Sequence, residues 1–180
     1  MKADTIMQIV FSGFGKNLLI TVLASILPIA TGIGLTFLMN AVKSKGLRIA
    51  FRLIAVFFYC LAPLALLIIL YFLLFASIRN PMPPVVAALT LSHLGYFVMR
   101  YDKSATALKN ILVNSLGLLS SVFLWSTTVG YVGVIDVVKA CTNISGVRYN
   151  YSYCWIALLI CFLVLAVINI PRMILKETMK

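Results

Sequence analysis

Acidic residues are almost absent from this sequence: Asp4, Asp102, Asp136 and Glu177 are the only four in 180 residues. All four lie at or beyond the ends of the apolar runs, so no carboxylate pair is available within those runs for acid–base chemistry, and an intramembrane enzyme is not expected. Histidine occurs once, as His93, with no second His, Cys, Asp or Glu at ligand spacing, which excludes a metal site built around it. No glycine-rich phosphate loop is present, so ATP hydrolysis, if it drives this protein, belongs to a partner chain. Charge of either sign is sparse at 11%, against 63% hydrophobic residues and a mean hydropathy of +1.09. That balance excludes a soluble globular domain.

What is present in abundance is apolar sequence. Crossing ~30 Å of hydrocarbon takes roughly 20 helical residues, and five runs qualify, at about 17–42, 53–77, 82–99, 111–135 and 152–171. The expected fold is an all-α, multi-pass membrane protein using residues 1–180 as a single membrane domain, with no cofactor. Ahead of the first run, Ile6, Ile9, Val10 and Phe14 share a helical face, and the segment is either a short interfacial helix or an ordinary polar lead-in. MKADTIMQIV has no small-residue cleavage site, so the first span is expected to be retained.

The 15 Lys and Arg residues are scattered through short loops and not gathered on a soluble face, which argues against nucleic acid and for a topological role. Lys43, Lys45, Arg48 and Arg52 follow span 1; Arg100, Lys103 and Lys109 follow span 3; Arg172, Lys176 and Lys180 follow span 5. The remaining five, Lys2, Lys16, Arg79, Lys139 and Arg148, fall on the other side. A ten-to-five split places the N-terminus outside and the C-terminus in the cytosol of a cell (inner) membrane. Cys60 and Cys161 fall inside spans; Cys141 and Cys154 flank the outer loop, where a disulfide is one of two open readings.

Polar residues within spans are the first candidates for function. On span 4, Asn110, Asn114, Gly117, Ser121 and Thr128 recur as one helical stripe, with Ser120, Ser126 and Thr127 beside it. Such a stripe is either the wall of a substrate path or a small-residue surface for close helix packing. His93, near the middle of span 3, is either a substrate or proton group or an interhelical hydrogen-bond partner. The substrate-path candidates are therefore His93, Asn114, Ser121, Thr127 and Thr128, and Arg100, Lys103 and Lys109 mark a cytosolic turn.

In order along the chain, GKNLLITVLASILPIATGIGLTFLMNAVKSKGLR, YCLAPLALLIILYF, ALTLSHLGYFVMRYDK and GYVGVIDVVKACTNISGVRYNYSYCWIALLICFLVL resemble the successive spans of permease subunits of polar-amino-acid ABC importers. In the last of these, Gly133, Val134, Asp136 and Val137 occupy the family's G-V-x-D-L-like turn. The resemblance implies a type I importer permease-like fold, a second permease subunit in a hetero- or homodimer, an ATP-binding subunit and a solute-binding protein. Cys60-Leu61-Ala62-Pro63 stands where the family has R-G-T-P, Gly95-Tyr96-Phe97-Val98-Met99 where it has A-Y-x-x-E, and Leu124-Trp125-Ser126-Thr127 where it has K-D-T-S. Between spans 3 and 4 the family carries a long segment with its E-A-A coupling helix; here only RYDKSATALKN remains. The expected function is a divergent subunit of an amino-acid importer that forms or scaffolds the solute path and meets the ATPase through its partner. The alternative is a non-transporting interaction or regulatory protein derived from the same fold.

Overall fold

The computed structural model describes residues 3–74, 80–100, 102–103, 105–148 and 150–178. Lys2, Arg79 and Lys180, which entered the topology argument, lie outside the described residues. The described chain is helical throughout, with no strands. Among the described residues four helices are long and apolar enough to cross a membrane, and a bent pair, Lys45–Cys60 with Pro63–Leu73, passes the same test only when taken together.

Helix α1 (Ala3–Ala41) is the longest element. At 1.5 Å per residue its 39 residues reach ~58 Å, well beyond the hydrocarbon thickness. Its buried positions, among them Ile6, Val10, Gly13, Asn17, Ile20, Ala24, Pro28, Gly32 and Thr36, recur at three and four and keep one face inward over the full length. The segment read as an interfacial helix or a polar lead-in is therefore the first part of α1. Ile6 and Val10 are buried against Val137, Cys141, Ile144 and Ala157, with Ile9 and Phe14 packed alongside. Pro28 lacks the N–H that would bond the Ala24 carbonyl, and the Thr90 hydroxyl donates to that carbonyl at 3.3 Å.

The second apolar run is broken, not continuous. Helix α2 (Lys45–Cys60) ends at Leu61 and α3 (Pro63–Ile69) begins at Pro63, with a 68° bend between the two axes. Ala62 sits at φ −62°, ψ 120°, extended as a residue before proline prefers, which ends one helix while Pro63 starts the next. A wider-wound turn, Leu70–Leu74, continues α3. The third run also divides, into α4 (Met82–His93) and α5 (Tyr96–Met99). Asn80 Oδ1 accepts the Met82 N–H at 3.0 Å ahead of Pro83 and Pro84 in the first turn.

Helix α6 (Ala107–Ser126) is shifted toward the N-terminus of the fourth run, and residues expected to extend it to 135 instead form a 3-10 turn, Val129–Val132. That turn closes at Gly133, whose φ of +89° suits glycine. The loop expected before the last span is itself helical, α7 (Val137–Arg148), and α8 (Ser152–Glu177) follows, running through Pro171. Tyr151 and Trp155, both more than 70% exposed, open α8 as interfacial aromatics do.

The core lies where α1, α3, α4, α5 and α6 meet, around Ile20, Leu67, Leu89, Phe97, Leu118 and Val122. Glycines set the closest approaches. A Cβ at Gly13 would stand 2.7 Å from the Asp136 carbonyl oxygen, and one at Gly32 would collide with the Phe97 ring. Outer α8 residues such as Leu158, Phe162 and Val167 remain exposed, as lipid contact requires.

The Pro28 account yields a double-mutant test. Thr90→Val should cost about 0.5–1 kcal/mol in the native background, measured by thermal unfolding in detergent. In Pro28→Ala, where the restored amide takes the Ala24 carbonyl, the same change should cost close to nothing; equal costs in both backgrounds would refute the substitution of a hydroxyl for the missing amide.

Candidate functional site

Twenty residues of α6 rise ~30 Å, about one hydrocarbon thickness, and the helix touches α1, α4, α5 and α8. Asn110, Asn114 and Gly117 of the stripe are buried, and Ser121 and Thr128 are partly so. Three cavities open along it in succession. The first, about 260 Å³, is lined by Arg100, Asp102, Asn110, Asn114, Arg172 and Lys176. The second, about 400 Å³, includes Tyr59, His93, Tyr96, Ser121, Trp125 and Arg172. The third, about 450 Å³, holds Thr127, Thr128, Tyr131, Asp136 and Lys139. All five sequence-derived candidates thus line cavities, Asn114 in the first, His93 and Ser121 in the second, Thr127 and Thr128 in the third, but no single site contains them all.

His93 ends α4, where Ser92 Oγ donates to the Leu89 carbonyl at 3.0 Å. The same carbonyl lies 2.8 Å from His93 Nδ1, and since a carbonyl only accepts, Nδ1 carries the proton. In the neutral ring Nε2 is then an acceptor, and the Ser121 hydroxyl donates to it at 3.0 Å. His93 therefore bonds across to α6 and faces the second cavity at once; the two readings are not exclusive.

Sequence reasoning gave Arg172 a topological role only. The residue was counted among the charges that follow span 5, yet it lies inside α8 one residue past Pro171 and reaches the second cavity. A Cβ at Gly117 would stand 2.8 Å from its Cζ and would also collide with the Tyr96 hydroxyl, so the absent side chain makes room for both groups. Arg172 Nη1 donates to Asn169 Oδ1 at a long 3.4 Å, while its buried Nε–H has no partner among the described residues. Asn169 in turn donates to Ser120 Oγ at 2.8 Å, tying α8 to α6. The Arg100 guanidinium lies 5.0 Å from the Tyr96 ring centroid. Arg100 and Arg172 line both the first and second cavities and stand between them. Their arrangement was not legible because Gly117, Tyr96 and Arg172 are brought together only by the packing of three helices.

The turn joining α5 to α6 is residues 100–106. Asn110 Nδ2 donates to the Asp102 carbonyl at 2.7 Å and the Ala105 carbonyl at 3.2 Å, and its Oδ1 accepts the Asp102 N–H at 3.3 Å. These bonds hold Asp102 and Ala105 against the start of α6, where Thr106 Oγ1 accepts the Lys109 N–H at 3.4 Å. Lys109 Nζ donates to the Thr178 carbonyl at 2.9 Å, whereas Lys103 is exposed.

At the opposite end, Asp136 caps α7 by accepting the Lys139 N–H on Oδ1 at 2.6 Å. Its Oδ2 is buried without a partner among the described residues, and burial pushes the carboxyl up to about 6 against the opposing pull of the Lys139 N–H and charge. Cys141 and Cys154 are unbonded to each other in the structure. Burial pushes the Cys141 thiol up to about 11, and Cys154 Sγ shares a hydrogen bond with Ser145 Oγ at 3.4 Å. Among the described residues no group of His, Cys, Asp and Glu is arranged to hold a metal ion.

No family model and no curated protein sequence matches the chain. A chain from a crystal structure of an amino acid ABC transporter with histidines is similar, with a TM-score of 0.70 and 18% identity over 96% of this chain and 94% of that one. At that identity the likeness is one of fold alone, an all-helical fold shared with a chain of that transporter.

Asp136 gives the region a pH signature. Its folded-state value lies above the ordinary carboxylate value of 3.8, so the fold favours the protonated form. Stability should fall as pH rises from about 4 to about 6 and stay level above, because ionisation costs more in the folded state. In Asp136→Asn, which keeps an Oδ1 acceptor for Lys139, that decline should vanish and the melting temperature at pH 7.5 should rise. An unchanged slope between pH 4 and 6 would show that the carboxyl is solvated.

Proposed function

We propose that this chain is a membrane-spanning subunit of an ABC-type amino-acid importer, pairing with another permease to form or scaffold the solute path. The observation that carries the reading is the succession of polar cavities along α6, in a chain whose fold is that of a transporter subunit. Cavities of a few hundred Å³ with a few converging polar groups suit small solutes. The charge distribution supports an outside N-terminus and a cytosolic C-terminus in the cell (inner) membrane, which makes the Arg100 end cytosolic and leaves the Asp136 end to face a solute-binding protein.

Coupling is where this subunit departs from the family it resembles. An ATPase that drives import must push on chain that protrudes from the membrane. Residues 100–106 span at most ~25 Å fully extended while also reversing direction, and Asn110 holds them down at Asp102 and Ala105. The ATP-binding subunit is therefore engaged through the partner permease, and any ATP hydrolysis lies there. The same short turn favours a second reading, a non-transporting interaction or regulatory protein that kept the fold and lost the coupling.

Purification in mild detergent from the native membrane should recover an intact permease and an ATP-binding chain with the tagged protein. Changing Arg100, Lys103 and Lys109 together to Ala should leave ATPase recovery within about twofold, while deleting the partner's coupling helix should abolish it. If this chain alone retains the ATPase and the triple variant loses it, the turn is a working coupler. Recovery without any permease would favour the regulatory reading.

A further inference from the structure

The second cavity has an unbalanced charge. Arg172 and Arg100 line it together with His93, the Tyr96 hydroxyl, Ser92, Ser120 and Ser121, and no Asp or Glu does. Of the four acids in the sequence, Asp4, Asp136 and Glu177 line neither this cavity nor the first, and Asp102 lines only the first, where it faces Arg100, Arg172 and Lys176. An arginine within a membrane helix is costly unless it meets an anion, acceptors or water. Among the described residues Arg172 makes a long hydrogen bond to Asn169 and has a buried Nε–H without a partner, while its Nη groups could still serve acceptor oxygens. Tyr59, Leu61, Pro63, Leu124 and Trp125 supply apolar surface beside it.

We infer that this cavity binds a small organic carboxylate through Arg172, with Arg100 as a second cation, and that it reads no ammonium group. The inference rests on the reading of α6 as a solute path and departs from its amino-acid solute, replacing it with a carboxylate that lacks the amine. A free α-amino acid brings an ammonium that would face two guanidiniums and find only neutral acceptors, so the amino group adds nothing to recognition or opposes it. A carboxylate of the same shape without the amine is the better fit. The apolar wall favours a branched or aromatic body over a second charge.

The full-length chain in phosphatidylcholine nanodiscs, titrated calorimetrically with 4-methylpentanoate, leucine, leucinamide and inorganic phosphate, tests this. 4-Methylpentanoate should bind at least as tightly as leucine, and leucinamide and phosphate should bind about tenfold or more weakly. Arg172→Gln should weaken 4-methylpentanoate by about tenfold and Arg172→Lys should recover part of the loss, while Lys43→Gln, remote from the cavity, changes nothing. Arg100→Gln, at an exposed position, gives a second variant that should weaken binding if Arg172→Gln fails to fold. Binding of leucine with none of 4-methylpentanoate would overturn the inference, as would equal binding of leucinamide, stronger binding of phosphate, or no binding by any probe. If phosphatidylglycerol nanodiscs abolish carboxylate binding in an Arg172-dependent manner, the occupant is a lipid phosphate and the inference also fails. Solute uptake by the reconstituted complex separates the two claims: uptake without carboxylate preference sinks only this inference, and preference without uptake sinks only the transport reading.

Discussion

Asn17 joins three elements at one buried point. From the inward face of α1 its Nδ2 donates to Ser126 Oγ at the end of α6, at 3.0 Å, and its Oδ1 accepts the Val137 N–H at the start of α7, at 2.9 Å. Hydrocarbon offers no competing partner for such groups, so an amide placed there fixes whatever can satisfy it. The close approach at Gly13, one turn earlier, lets the Asp136–Val137 backbone come near enough for the bond to form. From this junction follow the end of α6, the 3-10 turn and Gly133 that redirect the chain, and the seating of α7 on the first third of α1.

The polar residues of the interior divide into two sets by how fully they are satisfied. Thr21, Ser25 and Thr36 return their hydroxyls to carbonyls one turn back on α1 and are closed to any ligand. Asn17, Ser126, Thr90 and Asn110 tie elements or turns together. Two buried side-chain atoms among the described residues have no partner, Asp136 Oδ2 and Arg172 Nε, and both residues line cavities beside α6. Satisfied groups hold the bundle together, whereas the two unsatisfied atoms are buried parts of residues that line cavities.

Much of this was readable in advance, for identifiable reasons. Apolar runs mark spans because the bilayer imposes a length, and the α6 stripe faces inward because its period is that of a helix. The break at Pro63 was not read from the run 53–77, and its 68° magnitude depends on how α2 and α3 pack on α4 and α5. Helix α7 was taken for a loop because VVKACTNISGVR is too polar and too short to read as a span, although Asp136 at its cap and four well-spaced buried residues, Val137, Cys141, Ile144 and Ser145, give it a helical face. The His93–Ser121 bond links residues 28 apart in sequence, and Arg172 meets Gly117 across two helices. Neither pairing has a local signal, since both arise from the order in which the spans pack.

The central claim, that one face of α6 borders water-accessible space across the membrane while the other meets lipid, is tested most directly by thiol accessibility. In the chain with its four native cysteines replaced, single cysteines at Asn114, Ser121 and Thr128 should react with a small, charged methanethiosulfonate in intact membranes. Cysteines at Leu112, on the same helix but exposed at the outer surface, and at Leu158 of α8 should not react. Equal reactivity at all five positions, or labelling confined to 112 and 158, would contradict the account.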